Sequence, residues 1–371
     1  MKQLCIHSLS KSIDSIAQYD FEQKKVFGSA YTVFYDGEVI KKCYGTRALG
    51  TDEPVTDTTV FRLASMTKPI TAVAALILAE RGLLSLDDTV DRFLPAFADI
   101  PIIDARGNVT APKQIPTVKS ILTHSSGIGS DYEKRCTMTA EDKQSLDSAI
   151  AFHLRTGLDF EPDSMQKYSG IGAFDVLAKI IEVISKTDFL TFLKHEIFEP
   201  CEMCDTTFLP NEEQWSRMAQ MHNRENGENT VFKKPEGCMF EDIPCTHFLG
   251  GAGLASTMRD YCKFARMLLE GGKAENARIL KEETVRLLRS PHFYKRQTES
   301  WGLGVRVITK ETDTLLPEGV FGWSGAYGSH FWVDPTNRLF AVFMKNSKVD
   351  GGSENESAKK FEKAVYSSFL A

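Results

Sequence analysis

Ser65 and Lys68 stand three residues apart in "FRLASMTKPITAVAALILAERG" (61–82), where a loop meets an apolar helix. That spacing puts a hydroxyl and an amine on one helical face, one turn apart. At a helix N-terminus, free N–H groups and the positive end of the dipole favour a developing negative charge. Ile70, Val73, Ala74, Ile77 and Leu78 form an apolar stripe just beyond, so Lys68 opens onto a buried flank. Burial disfavours the ammonium and lets a neutral amine act as base toward a serine. The spacing alone is common: Ser8–Lys11, Ser164–Lys167 and Ser357–Lys360 repeat it. A capping serine followed by a snorkelling lysine is the alternative role. Pro69 donates no hydrogen bond and restrains Lys68, so the helix must start with some distortion.

A Ser–Lys pair works better with a third group that carries the proton to the leaving group. Tyr168 in "QKYSGIGAF" lies in a Ser/Gly turn before a helix, where its hydroxyl can reach a cleft as acid or base; the alternative is a half-buried packing tyrosine. In "GWSGAYGSHFWVDP", glycines 322, 325 and 328 let another backbone approach a strand edge. Such an edge can aim an N–H at an acyl oxygen and complete an oxyanion hole with the nucleophile's own N–H. His124 in "LTHSSG" could serve as a base, but its neighbours read as a helix C-terminus. No Gly-x-Ser-x-Gly elbow exists for a Ser-His-Asp arrangement. Cys201-Glu-Met-Cys204 has no second pair at zinc spacing, and Cys238, Cys245 and His247 are a weaker candidate still; no metal is expected.

The elements that must position these residues are partly visible. Residues 8–24 carry an amphipathic helical pattern, and "SAYTVFYDGEVIKKCYGT" reads as a hairpin turning at Asp36-Gly37. Helices are expected along the Ile70–Leu78 stripe with Gly82 just past its end, within "IPTVKSILTHSSGIGS", at 173–186, in "DFLTFLKHEIFEP", after Ser256/Thr257 and over about 355–370; residues 211–245 read as polar and irregular. "GLGVRVITK", "GVFGWSG", "GSHFWVDP" and "RLFAVFMKN" read as strands. Strands at both ends with helices between predict an α+β fold. Residues 1–85 and 246–371 would form an antiparallel sheet domain flanked by helices. Residues 86–245 would form a mainly helical insertion.

A net charge of −6 with no basic stripe argues against a nucleic-acid partner. No apolar run approaches membrane-spanning length, and "MKQLCIHSLSKSIDSIAQYDFEQKK" has no signal-type apolar core. Eight scattered cysteines then read as reduced thiols of a cytoplasmic protein. The partner expected is a small acyl substrate; no oligomeric state is implied.

Taken together, "FRLASMTKPITAVAALILAERGLLSLDDTVDRFLP", "ILTHSSGI", "YSGIGAFDVLAKIIEVIS", "IFEPCEMCDTTF", "GGAGLASTMRDYCKFARMLL" and "GWSGAYGSHFWVDP" resemble, in order, the motifs of the serine β-lactamase-like and penicillin-binding-protein-like superfamily. The likeness runs from about residue 28 to the end and looks nearest to the family VIII carboxylesterases. It implies Ser65 as acylated nucleophile, Lys68 as base, Tyr168 as proton relay, and the N–H groups of Ser65 and Ala326 as the oxyanion hole. No cofactor is implied. Two positions depart from the β-lactamase pattern. Gly170 stands where the second motif has an asparagine, and Trp323-Ser324-Gly325 replaces Lys-Thr-Gly. Without that lysine, the pocket formed by Trp323, Ser324, Gly325 and Gly170 should favour neutral esters over carboxylate-bearing peptides. The resulting expectation is a serine hydrolase of small or medium acyl esters. A β-lactamase or D,D-peptidase-type amide hydrolase, an acyltransferase and a catalytically silent sensor or binding module are the alternatives.

Overall fold

Asp36 and Gly37 both take positive φ (44° and 95°), as a two-residue hairpin loop of matching twist requires. The strands they join, Gly28–Tyr35 and Glu38–Gly45, pair in register from Tyr35–Glu38 to Gly28–Gly45. The computed structural model describes residues 3–296, 298–352 and 355–370. In it this hairpin is one edge of an eight-stranded antiparallel sheet. The other six strands lie in a row along the chain: Phe293–Arg296, Glu299–Trp301, Arg306–Ile308, Phe321–Ser324, His330–Asp334 and Leu339–Met344. The last of these pairs with Gly28–Tyr35, Ala30 opposite Met344 and Tyr35 opposite Leu339.

Strand alternation divides the side chains between two cores. Phe34, Phe321, Trp323, Phe331, Val333, Phe340 and Val342 face the larger one. Tyr31, Val33, Trp332, Ala341 and Phe343 face the smaller one, under the helices Ile6–Glu22 and Glu356–Ser367. The helix Thr67–Glu80 runs through the larger core, with every residue from Thr67 to Leu78 buried. A helix apolar on all sides belongs at the centre of a fold, and this one carries the Ser–x–x–Lys motif at its entry. The helices Gly172–Ser185 and Met258–Leu269 pack into the same core.

The helices expected around 8–24, 173–186 and 355–370 occupy Ile6–Glu22, Gly172–Ser185 and Glu356–Ser367. Three readings need correction. Residues 211–245 are not irregular: they hold the helix Glu212–Ser216, the hairpin His222–Glu225/Glu228–Val231 turning at Asn226-Gly227, and a short pair Cys238–Phe240/Ile243–Pro244. The Asn-Gly turn signal is there, but its polar strands hide the alternation. "DFLTFLKHEIFEP" is α-helical only over Phe189–Leu193 and widens to a π-turn over Lys194–Phe198. The strands Phe293–Arg296, at the sheet edge, and Glu299–Trp301, beside it, were not foreseen, being four and three residues long. No helix among the described residues is long and apolar enough to cross a membrane.

Candidate active site

The chain reaches Ser65 from the short strand Val60–Arg62, which pairs with Ala255–Thr257. Leu63 N–H donates to the Leu254 carbonyl (2.9 Å), then Ala64 turns through a left-handed φ of 46° while fully buried. Such a conformation persists in a non-glycine residue only where its surroundings over-determine it. Residues 64–66 form a single 3₁₀ turn ahead of the helix, which accommodates Pro69. The Thr67 hydroxyl accepts from Leu254 N–H (3.2 Å), and Tyr261 Oη donates to the Met66 carbonyl (2.9 Å). The nucleophile's turn is thus held on both sides.

Tyr168 Oη donates to Ser65 Oγ at 2.8 Å. Lys68 is completely buried, and its Nζ donates to the carbonyls of Gly170 (2.6 Å) and Gly251 (2.8 Å). Burial holds its pKa below the ordinary lysine value, and a nearby Arg135 adds to that; the Tyr168 hydroxyl and Asp175 oppose it. Ser65 and Lys68 make no direct hydrogen bond, although the sequence suggested a serine handing its proton straight to the lysine. Tyr168 stands between the two functions.

Three elements fix this geometry. His124, with φ 58°, accepts from Ser169 N–H at its Nδ1 (3.2 Å), and its ring lies 4.6 Å from that of Tyr168. It positions the tyrosine turn and makes no hydrogen bond to Ser65. Asp175, buried in the following helix, accepts from Gly250 N–H (3.0 Å) and lies 3.2 Å from His247 Nε2. The Gly250 carbonyl accepts from Thr71 Oγ1 (2.6 Å), so the Gly250-Gly251 segment that holds the lysine is itself anchored at both faces. Trp301 and Trp323 pack at 4.5 Å and line Tyr168 at 6.0 and 5.6 Å.

Gly325 sits directly against the Ser65 turn. A Cβ there would overlap the Leu63 carbonyl oxygen and Ser329 Oγ, so only glycine lets the two backbones meet. Ala326 follows, exposed at the tip of the turn, and its N–H donates to no other described residue. Ser324 is placed otherwise. Its side chain lies on the opposite face of the strand, hydrogen-bonded to His330 Nδ1 at 2.7 Å, with His330 Nε2 2.8 Å from Glu362. This buried Ser–His–Glu chain has the sequence of partners of a hydrolase triad but lies beneath the terminal helix, so Ser324 meets the pocket only through its backbone. Gly170 contributes its carbonyl to Lys68, and a Cβ built on it would lie 3.4 Å from Arg135 Nη1. Arg135 therefore occupies the space that a side chain at position 170 would take. Its 3.6 Å pair with Glu241 and its stacking on Tyr132 at 4.9 Å offset the guanidinium charge in part.

Arg135, Asp175, Trp301 and Gly251 were missed as functional positions; Gly170 was named for the pocket, but not for the carbonyl it offers Lys68. Only "GGAGLAS" carried a signal, as a glycine turn. The incidental Ser–x–x–Lys pairs lie elsewhere; Ser357, for example, is buried on Asp350. Among the described residues no three His, Cys, Asp or Glu side chains gather as a metal site. Cys238, Cys245 and His247 form none, and His247 is taken up by Asp175 and the Lys143 carbonyl. The cysteines are free thiols, Cys201 buried and Cys204 exposed.

The Beta-lactamase family model matches residues 13–362. Esterase EstB of Burkholderia gladioli is 27% identical over 93% of this chain and 92% of its own length. Penicillin-binding protein 4 of Amycolatopsis lactamdurans is 28% identical over 87% and 81%. Among solved structures, EstCE1, described as a hydrolase with promiscuous acyltransferase activity, superposes with a TM-score of 0.81 at 24% identity over 97% of this chain and 99% of its own. The match along nearly the whole chain, on the same fold, makes this protein a member of the Beta-lactamase family of serine hydrolases.

Proposed function

We propose that the chain is a carboxylesterase working through an acyl-enzyme on Ser65. The observation that carries this reading is the 2.8 Å hydrogen bond between Tyr168 and Ser65, set beside a wholly buried lysine. A neutral amine has two N–H bonds and one lone pair. The Gly170 and Gly251 carbonyls take the two N–H bonds, which leaves the lone pair for the phenol side. For the reaction the hydrogen bond must reverse, so that Ser65 Oγ–H donates to Tyr168 Oη and the Tyr168 proton turns to Lys68 Nζ. The Ser65 proton then passes to the Tyr168 oxygen as the Tyr168 proton moves to Lys68 Nζ, and Ser65 Oγ bonds to the ester carbonyl carbon. The carbonyl oxygen takes the negative charge against the N–H groups of Ser65 and Ala326. Tyr168 then protonates the departing alkoxide, and water enters by the reverse route to release the acid.

The aromatic wall of Trp323, Trp301 and Tyr168 supports an apolar acyl group of small or medium size. The esterase relative is compatible with ester chemistry, as the penicillin-binding relative is with amide chemistry; the preference for esters rests on the absence of a lysine in the third motif. Ser65→Ala should abolish hydrolysis of p-nitrophenyl acyl esters while circular dichroism stays unchanged, and a fluorophosphonate should label the parent protein once, at Ser65. Near-parent rates in the variant would remove Ser65 from the mechanism.

A further inference from the structure

A cavity of about 600 Å³ opens beside the catalytic turn, lined by Arg62, Trp215, Gln220, Met221, Phe232 and Lys234 among others. Arg62 precedes Ser65 by three residues on the same strand-to-helix passage, and Lys234 donates to Tyr327, the residue after Ala326 (2.7 Å). The guanidinium of Arg62 lies 5.6 Å from the Trp215 ring and donates from Nη1 to the Ala219 carbonyl at 3.3 Å, while its buried Nε makes no hydrogen bond. Lys234 stands 4.8 Å over Tyr327 and 5.7 Å over Phe232; Lys348 reaches the same two rings from another loop, at 5.7 and 4.8 Å. Among the described residues none of Arg62, Lys233, Lys234 and Lys348 forms an ion pair, in a chain whose net charge is −6. The neighbouring carboxylates are Glu236 at the rim and Glu241, which pairs with Arg135 instead. Cations gathered at a low-dielectric wall without a counter-ion repel one another and lose hydration. An anion in the cavity would relieve both.

We propose that this cavity is a binding site for an organic anion, whose carboxylate, sulfonate or phosphate head meets Arg62 and Lys234 while a flat apolar body lies between Trp215 and Phe232. The site is separate from the acylation chemistry, and its test does not depend on turnover. Lys234 also makes it pH-sensitive: burial first, then Arg62 and Lys348, bring its pKa down to about 8 against the opposing effects of Glu241 and Cys238. The Tyr327 hydroxyl that it faces is pushed up to about 12, mainly by burial, and stays protonated through that range.

The experiment is calorimetric titration of the full chain with 2-naphthoate, 2-naphthalenesulfonate, 2-naphthyl phosphate and neutral 2-naphthamide. The anions should bind at least about tenfold more tightly than the amide, and Lys234→Gln should erase about that factor, as loss of one charge-assisted contact does. Affinity for 2-naphthoate should weaken between pH 7 and pH 9 in the parent but not in Lys234→Gln. Lys348→Gln, at an exposed position, gives a second variant that should weaken binding less, and the relative affinities of the three head groups identify the preferred one. Equal affinity for naphthoate and naphthamide, or unchanged naphthoate affinity in both variants with unaltered thermal melts, would overturn the proposal.

Discussion

Lys68 shows how a residue's role depends on what surrounds it. In water an amine of this kind is protonated at neutral pH and is no base. Here burial moves its equilibrium toward the neutral form, with Arg135 pushing the same way. Turnover that needs the neutral amine rises with pH and levels off above the lysine's pKa, below the usual 10.5. Arg135→Gln removes a cation that disfavours the ammonium, so the pKa of Lys68 rises. The rising limb of kcat/KM against pH should then move to higher pH, and the rate at pH 7 should fall. A limb that stays put in Arg135→Gln would remove Arg135 from the tuning. Ser65, Lys68 and Tyr168 could be singled out because several motifs stood in order along the chain. Arg135 could not, since nothing in "YEKRC" tells that its guanidinium reaches a glycine 35 positions later.

At the scale of elements, the turn that follows the strand Phe321–Ser324 decides what can approach the nucleophile. Gly325 touches the Ser65 turn through bare backbone, and the residue that follows offers its N–H at the mouth. Gly325→Ala must push the two apart. We expect a loss of about 10²–10³ in kcat for p-nitrophenyl acetate, as when one oxyanion donor is displaced. A fall of about 1–3 kcal/mol in stability on thermal melting should accompany it, as overpacking costs. Unchanged kcat would show that the turn plays no part in the reaction. Strand alternation explains why Ser324 disagrees with its neighbours: Trp323 points into the larger core, so Ser324 must point out of it. The glycine pattern of this motif was readable. Which of its side chains faced the cleft was not, because phase along a strand depends on which face meets the central helix.

The whole molecule is held by long-range partnerships that leave little trace in local sequence. Glu362, on the last helix, binds Arg306 (2.9 Å), His330 (2.8 Å) and Thr314 (2.6 Å), which come from different parts of the sheet side. Despite burial, the Arg306 guanidinium and the hydrogen bonds from His330 and Thr314 hold its pKa down from 4.5 to about 2. A carboxyl whose folded value is depressed adds stability that is complete above the unfolded value and lost as pH falls through the folded one. Glu362→Gln should therefore cost on the order of 3 kcal/mol at pH 7. In urea unfolding the gap between parent and variant should narrow from about pH 4.5 to about pH 2; a gap independent of pH would mean that the charge is not what stabilises. The hairpin at Asp36-Gly37 and the strong helices were legible because their signals are local. The short strands Phe293–Arg296 and Glu299–Trp301 and the small hairpins within 211–245 were not, because each is only two to four residues long and owes its shape to what it packs against.

The seat of Gly28–Tyr35 between its hairpin mate and Leu339–Met344 also has a temporal meaning. On the ribosome, the first hairpin emerges with one row of amides and carbonyls unmet, and its sheet neighbour is about 300 residues away. At roughly 5–20 residues per second, that row waits on the order of 15–60 seconds. Until then it can be met by any other extended chain, including a second nascent copy. Synthesis rate and chaperone supply, rather than the strength of the finished fold, should then set how much of this protein is recovered intact.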